Sequence, residues 1–182
     1  IGLTSAALLP ARPETFFEKV LAWNHEWKES LFVSLDNVNN LYTCNGPAAA
    51  FSKQLYTKFR YPDNTPCDAM SYMFCVAHHM RFVSVKSPRA IFRCPTNLGD
   101  HIKQSARFVA GKEAVIAIFG DAARKEYSIP RAHMLRALVQ EFFRQPIFSS
   151  YFFLVWLYVR SRKTDRFTSL WEMAESSKKI CV

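Results

Sequence analysis

Five side chains between positions 67 and 94 are of the types that grip a soft metal: Cys67, Cys75, His78, His79 and Cys94. Thiolate and imidazole together suit zinc, and Cys75 and His78 would share one face of a helix. Structural zinc sites, however, take their ligands in pairs at C-x2-4-C and H-x3-5-H spacings. Here the donors are staggered and unpaired, so they read as buried apolar cysteines beside a histidine pair at a helix end. No metal is expected. The five cysteines (Cys44, Cys67, Cys75, Cys94, Cys181) are odd in number and irregular in spacing, which argues against a disulfide framework and for reduced thiols.

Acid–base or nucleophilic chemistry finds equally little footing. The chain lacks a GxSxG elbow, an HExxH pair and a phosphate-binding GxxxxGK[ST] loop. Gly111-Lys112 follows a helical pattern, not the strand that a phosphate loop requires. The neighbours His25-Glu26 and Asp100-His101 point about 100° apart on a helix and form no dyad by themselves. No catalytic residue, cofactor or small-molecule substrate is therefore expected. Only 5 glycines in 182 residues reinforce this, because nucleotide folds need close backbone approach to their ligand.

Two stretches, 51–74 and 114–143, resemble degenerate EF-hands over 24 and 30 residues. Ile129 would take the central apolar position of the second, with Met134 and Leu138 in its exiting helix. That alignment implies Ala122, Arg124 and Glu126 at the first three ligand positions and His133 in place of the bidentate glutamate. A hard cation needs several oxygens there, so calcium binding does not follow even where the helical pairing does.

The net charge of +9 predicts attraction to an acidic partner: nucleic acid, anionic lipid or an acidic subunit. Basic and aromatic residues interleave at Lys53, Tyr56, Lys58, Phe59, Arg60 and Tyr61, and again at Arg81, Phe82, Lys86, Arg89, Phe92 and Arg93. Such a mixture can supply phosphate contacts and stacking, which keeps RNA among the expected partners. Phe51, Leu55 and Phe59 nevertheless fall on one helix face and suit a core.

The segment 145–159 carries no charge and is crowded with aromatics, and Arg160, Arg162, Lys163 and Arg166 follow it. As a helix it rises roughly 22 Å, short of a ~30 Å hydrocarbon core. Pro146 opens it, and Trp156 and Tyr158 stand near its basic end, where amphipathic rings favour a membrane–water interface. Phe148, Tyr151, Phe152, Phe153, Leu154, Trp156 and Tyr158 are thus expected to form a membrane or subunit anchor. Arg160, Arg162, Lys163 and Arg166 are expected to meet anionic headgroups or phosphate.

The elements positioning these residues read as mostly α-helical. Phe16, Val20, Trp23, Trp27 and Leu31 recur at helical steps, predicting a helix over about 13–35 that starts at Pro13. Thr65-Pro66-Cys67-Asp68 has the form of a capping box opening a helix to about residue 81, with Met70, Met73, Phe74 and Ala77 inward. Ser87-Pro88 separates two short β-prone runs, which read as a small hairpin near 82–94 or as extended connections. A further helix is expected from Leu98 to about Ala110, stopped by Gly111. The apolar run 114–119 is read as helix. Met134, Leu135, Leu138, Val139, Phe142 and Phe143 form one stripe of a helix opened by Pro130. That stripe, like Trp23 and Trp27, is expected to pack against other helices or neighbouring subunits. An apolar helix then covers 146–162, and Ser169-Leu-Trp-Glu172 opens a short terminal one. Residues 1–9 do not have the form of a secretory signal.

The expected organisation is a basic helical domain over 1–144, a membrane-contacting or interface helix over 145–163, and an amphipathic tail over 164–182. The function that fits is a non-catalytic accessory subunit of an organellar assembly, foremost a mitochondrial inner-membrane complex of respiratory-chain or ATP-synthase type. Its partners would be other protein subunits and membrane lipid. The alternatives are a basic RNA-associated protein, such as a peripheral mitochondrial ribosome component, and a soluble enzyme with an unrecognised site.

Overall fold

The computed structural model describes residues 1–35, 38–62, 65–161 and 176. The chain is mostly helical with one small sheet. In order it forms β1 (Leu3–Pro10), α1 (Phe16–Val33), β2 (Ala49–Phe51), α2 (Lys53–Tyr56), α3 (Cys67–Ala77) and β3 (Phe82–Phe92). Then come α4 (Leu98–Phe119), α5 (Asp121–Glu126), α6 (Arg131–Arg144) and α7 (Pro146–Ser161). The sheet order is β2-β1-β3, with β1 and β2 antiparallel and Leu3 opposite Phe51.

Two compact units are interleaved along the sequence. The first gathers Ile1–Leu9, Phe32–Ile91 and Phe108–Ser128; the second gathers Pro10–Leu31, Phe92–Arg107 and Ile129–Val182.

The first unit is built on the sheet and α3. Met70, Tyr72, Met73 and Cys75 of α3 are buried with Leu3, Leu41, Leu55, Phe59, Phe82, Val115 and Ala123. Phe59 stacks on Phe51 and tilts against Phe74, while Ser5 exchanges two hydrogen bonds with the backbone of Asn45. His79, at φ 54°, ends the α3 region in a left-handed turn.

Several local expectations are corrected here. Phe82–Phe92 is a single strand and not a hairpin; at the sheet edge, a proline's missing donor is tolerated. The helix expected to carry Phe51, Leu55 and Phe59 shrinks to the four residues of α2, capped by the Ser52 side chain. The expected box at Thr65–Asp68 does not close, because Thr65 Oγ1 donates to Pro62 O instead and Pro66 occupies the cap without a side-chain bond. Ala77 is exposed on the outer side of α3. Gly111 does not stop α4 but lies buried within it, where an added Cβ would stand 3.0 Å from Pro66 Cγ. The chain turns instead at Gly120, whose φ of 58° favours glycine. Ala122, Arg124 and Glu126, the first three ligand positions of the EF-hand alignment, lie in the helix α5.

The second unit joins residues 16–31 of α1 to α6 and α7. The helix α1 begins on a true capping box: Glu18 N–H donates to Thr15 Oγ1, and Glu18 Oε2 accepts from the Thr15 N–H at 2.9 Å. Arg93 Nε donates to Glu18 Oε1 at 3.0 Å and its terminal nitrogen to Glu14 Oε2 at 2.6 Å, tying the end of β3 to this helix start. Leu21, Ala22 and Cys94 form a small core with Phe17, Phe92 and Phe152 around it. The box expected at 169–172 lies outside the described residues.

Candidate functional site

The helix α6 has the clearest apolar stripe in the chain, and it faces outward. Leu135, Leu138, Val139, Phe142 and Phe143 recur at steps of three and one, so they share one side of the helix. All are exposed, Leu135 at 63% and Phe143 at 79%, and α6 contains no buried residue. The opposite side, made of His133, Met134, Ala137 and Glu141, is the partly buried one. Phe142 and Phe143, expected to pack against other helices or neighbouring subunits, therefore do not pack within the chain. An ordinary amphipathic helix buries its apolar side; this one turns it to the exterior.

The orientation has a local cause. The Trp23 indole N–H donates to Glu141 Oε1 at 2.7 Å, and Arg144 lies 3.7 Å from the other oxygen of that carboxylate. Glu141 is the only carboxylate between Arg131 and Ser161. Its backbone carbonyl also accepts from the Gln145 N–H and from Ser149 Oγ, which joins the end of α6 to the start of α7. Holding Glu141 inward leaves the residues on the other side of α6 pointing out.

The helix α7 is apolar on both sides, and only one of them is covered. Phe148 and Tyr151 meet the Phe16 ring edge-on at centroid distances of 5.7 and 5.2 Å. Phe148 and Phe152 flank Trp23, which itself stacks on Trp27, and Val155 is buried. Ile147, Phe153, Leu154 and Leu157 face away and are exposed, Ile147 at 71%. Trp156 and Tyr158 are exposed near the C-terminal end, where the Arg160 guanidinium lies 5.3 Å from the Trp156 ring centre. Of the seven expected anchor residues, Phe148 and Phe152 thus pack within the unit. Tyr151 both packs and emerges, and Phe153, Leu154, Trp156 and Tyr158 emerge. Arg160 is exposed; Arg162, Lys163 and Arg166 lie outside the described residues.

Large aromatic side chains carry 150–250 Å² each, so the α6 stripe alone exposes on the order of 500 Å² of apolar surface. That equals the largest patch of an ordinary monomer before α7 is counted, and patches of that size mark binding surfaces. No helix among the described residues is long and apolar enough to cross a membrane.

The residues considered for metal or catalysis are held in other roles. Cys75 Sγ donates to Met80 O, and His78 stacks on Phe74 with a ring nitrogen 3.0 Å from its carbonyl. Cys94 belongs to the other unit, where burial pushes its thiol up to about 12. Burial likewise raises the Cys44, Cys67 and Cys75 thiols, so none is an activated thiolate. Among the described residues, no three His, Cys, Asp or Glu side chains gather as a metal site.

One polar group that the spacing did not reveal lies in the second unit. Burial lowers the Lys28 ammonium, and it lowers His101 to about 4 with the Lys28 charge adding to the effect. Lys28 Nζ stands 5.4 Å from the Phe152 ring centre, and His101 meets Phe17 edge-on. A desolvated amine beside a neutral imidazole has the makings of nucleophilic or base chemistry. Among the described residues, however, no carboxylate pairs with Lys28 and no hydrogen bond reaches His101 Nδ1. The aromatic packing accounts for both side chains.

The interleaved basic–aromatic stretches divide similarly. Phe51, Phe59 and Phe82 serve the core, while Tyr56, Tyr61 and the basic residues Lys53, Lys58, Arg81, Lys86 and Arg89 are exposed. In comparisons with protein-family models, curated proteins and solved structures, no match to the chain was found.

Proposed function

We propose that this chain is a non-catalytic accessory subunit, attached to a larger membrane-bound assembly through the outward face of α6 and α7. The observation that carries the reading is the inverted orientation of α6, whose apolar stripe is exposed while its single carboxylate is held inside. Apolar surface of that extent is costly in water, at about 25 cal/mol per Å², and is accounted for by a surface that is covered in use. The basic charge and the free cysteines suit a reducing organellar compartment, and a mitochondrial inner-membrane complex is the setting we favour. RNA association loses the Phe51, Phe59 and Phe82 rings to the core, which leaves it phosphate contacts and the exposed tyrosines.

Fractionation of organelles expressing Val139→Glu with Phe143→Glu tests the reading. Both positions point outward, so the variant keeps its helical spectrum and unfolding midpoint. The expected result is that wild type fractionates with a membrane assembly and the variant does not. Identical fractionation of the two proteins would refute attachment through this face.

A further inference from the structure

We propose that the outward face of α6 and α7 lies in the headgroup–acyl boundary of an anionic bilayer, parallel to it. The inference rests on the attachment reading above and names what the face attaches to. Charge is the first argument. Residues 131–161 hold four arginines against the single carboxylate of Glu141, and that carboxylate is turned inward onto Trp23, its side chain 13% exposed. Arg131, Arg136 and Arg160 are exposed, and among the described residues no acidic side chain pairs with them. A rim of arginines alone around an apolar face complements a layer of phosphate headgroups.

The distribution of ring types is the second argument. The large exposed apolar side chains of α6 and the start of α7 are aliphatic or Phe: Leu135, Leu138, Val139, Phe142, Phe143 and Ile147. The amphipathic rings Trp156 and Tyr158 are exposed instead near the C-terminal end of α7, where Trp156 meets the Arg160 guanidinium. Purely apolar groups seek the acyl region, whereas indole, phenol and guanidinium favour headgroup depth. Length is the third argument. With 14 and 16 residues, the helices rise about 21 and 24 Å, less than the ~30 Å needed to span.

The test is flotation of the full chain with vesicles of phosphatidylcholine, with and without phosphatidylserine. The chain is expected to float with the phosphatidylserine vesicles, and Val139→Glu with Phe143→Glu to remain at the bottom. Arg136→Gln with Arg160→Gln should weaken binding on the order of tenfold or more, with wild-type binding falling as salt rises. Equal flotation with both vesicle types, or flotation unchanged in the arginine variant, would overturn the anionic-bilayer inference. So would failure of wild type to float at all. If in that last case wild type still fractionates with its assembly and the glutamate variant does not, the face binds protein and the attachment reading stands alone. If the two proteins fractionate alike as well, both readings fall.

Discussion

The Trp23 indole donates a 2.7 Å hydrogen bond to Glu141 Oε1 across 118 positions of sequence, on the side of α6 opposite its exposed apolar stripe. Replacing Glu141 with Leu would leave the Trp23 N–H without its acceptor in a partly buried setting. The expected cost is about 1–3 kcal/mol, read as a lower urea midpoint. Glu141→Gln keeps an oxygen able to accept, so its loss should be clearly smaller. Equal midpoints for the two variants would show that the bond does not hold α6.

The start of α1 depends on the reciprocal bonds of Thr15 and Glu18. Thr15→Ala should destabilise by about 1 kcal/mol. Burial by itself would raise the Glu18 carboxyl, but hydrogen bonds from the Thr15 backbone, Arg93 and the Glu14 backbone outweigh it and hold the group below its usual 4.5. The folded chain therefore binds this proton less readily than the unfolded one. Its stabilisation is complete above about pH 4.5 and fades as the pH falls through the lowered value. Glu18→Gln should flatten the stability curve below pH 4.5, measured by urea unfolding at successive pH values.

These two sites illustrate what a single sequence discloses. Thr15-Phe-Phe-Glu18 is a readable capping box, yet Pro13 attracted the helix start because proline suits a first turn. The strand β1 escaped notice because it is the central strand: Leu3, Ser5, Ala6 and Ala7 are all buried, so the two-residue alternation of a half-exposed strand is missing. Gly111 read as a stop, but α4 continues through it because a residue without a side chain lets Pro66 approach. The stripe on α6 is legible as a stripe except for Met134, which the spacing groups with it and which lies on the partly buried side. The stripe's direction is not, since periodicity defines a face without saying what lies against it. The three-dimensional contacts of its other side, such as that between Trp23 and Glu141, supply that.

His101 gives a separate acid response. Burial and the nearby Lys28 charge lower it from 6.5 to about 4, so the unfolded chain takes up this proton first as pH falls. Stability from the neutral imidazole is full above about pH 6.5 and is lost progressively down to about pH 4. His101→Phe, which retains a ring against Phe17, should remove the slope in this window and leave the Glu18 limb below it. A slope unchanged between pH 6.5 and 4 would rule out a buried neutral His101.

Two glycines should differ in how they respond to substitution. Gly111→Val places branched carbon against the Pro66 ring, already 3.0 Å from a bare Cβ, and should cost about 1–3 kcal/mol by overpacking. Gly120→Ala meets nothing within 4 Å, so its cost is the left-handed backbone alone, about 1–2 kcal/mol. Thermal unfolding of both, with Gly111→Ala as a smaller step at the crowded site, separates steric from backbone origins. A Gly111→Val protein as stable as wild type would mean that α4 does not press on Pro66.

The central claim is that the outward face of α6 is covered where the protein works. A photoreactive benzoylphenylalanine placed at Phe143, and for comparison at the equally outward Tyr56, tests this in intact organelles. Adducts to lipid or to a partner subunit are expected from position 143, and few or none from position 56. Absence of adducts at 143, or equal yields at the two positions, would contradict it.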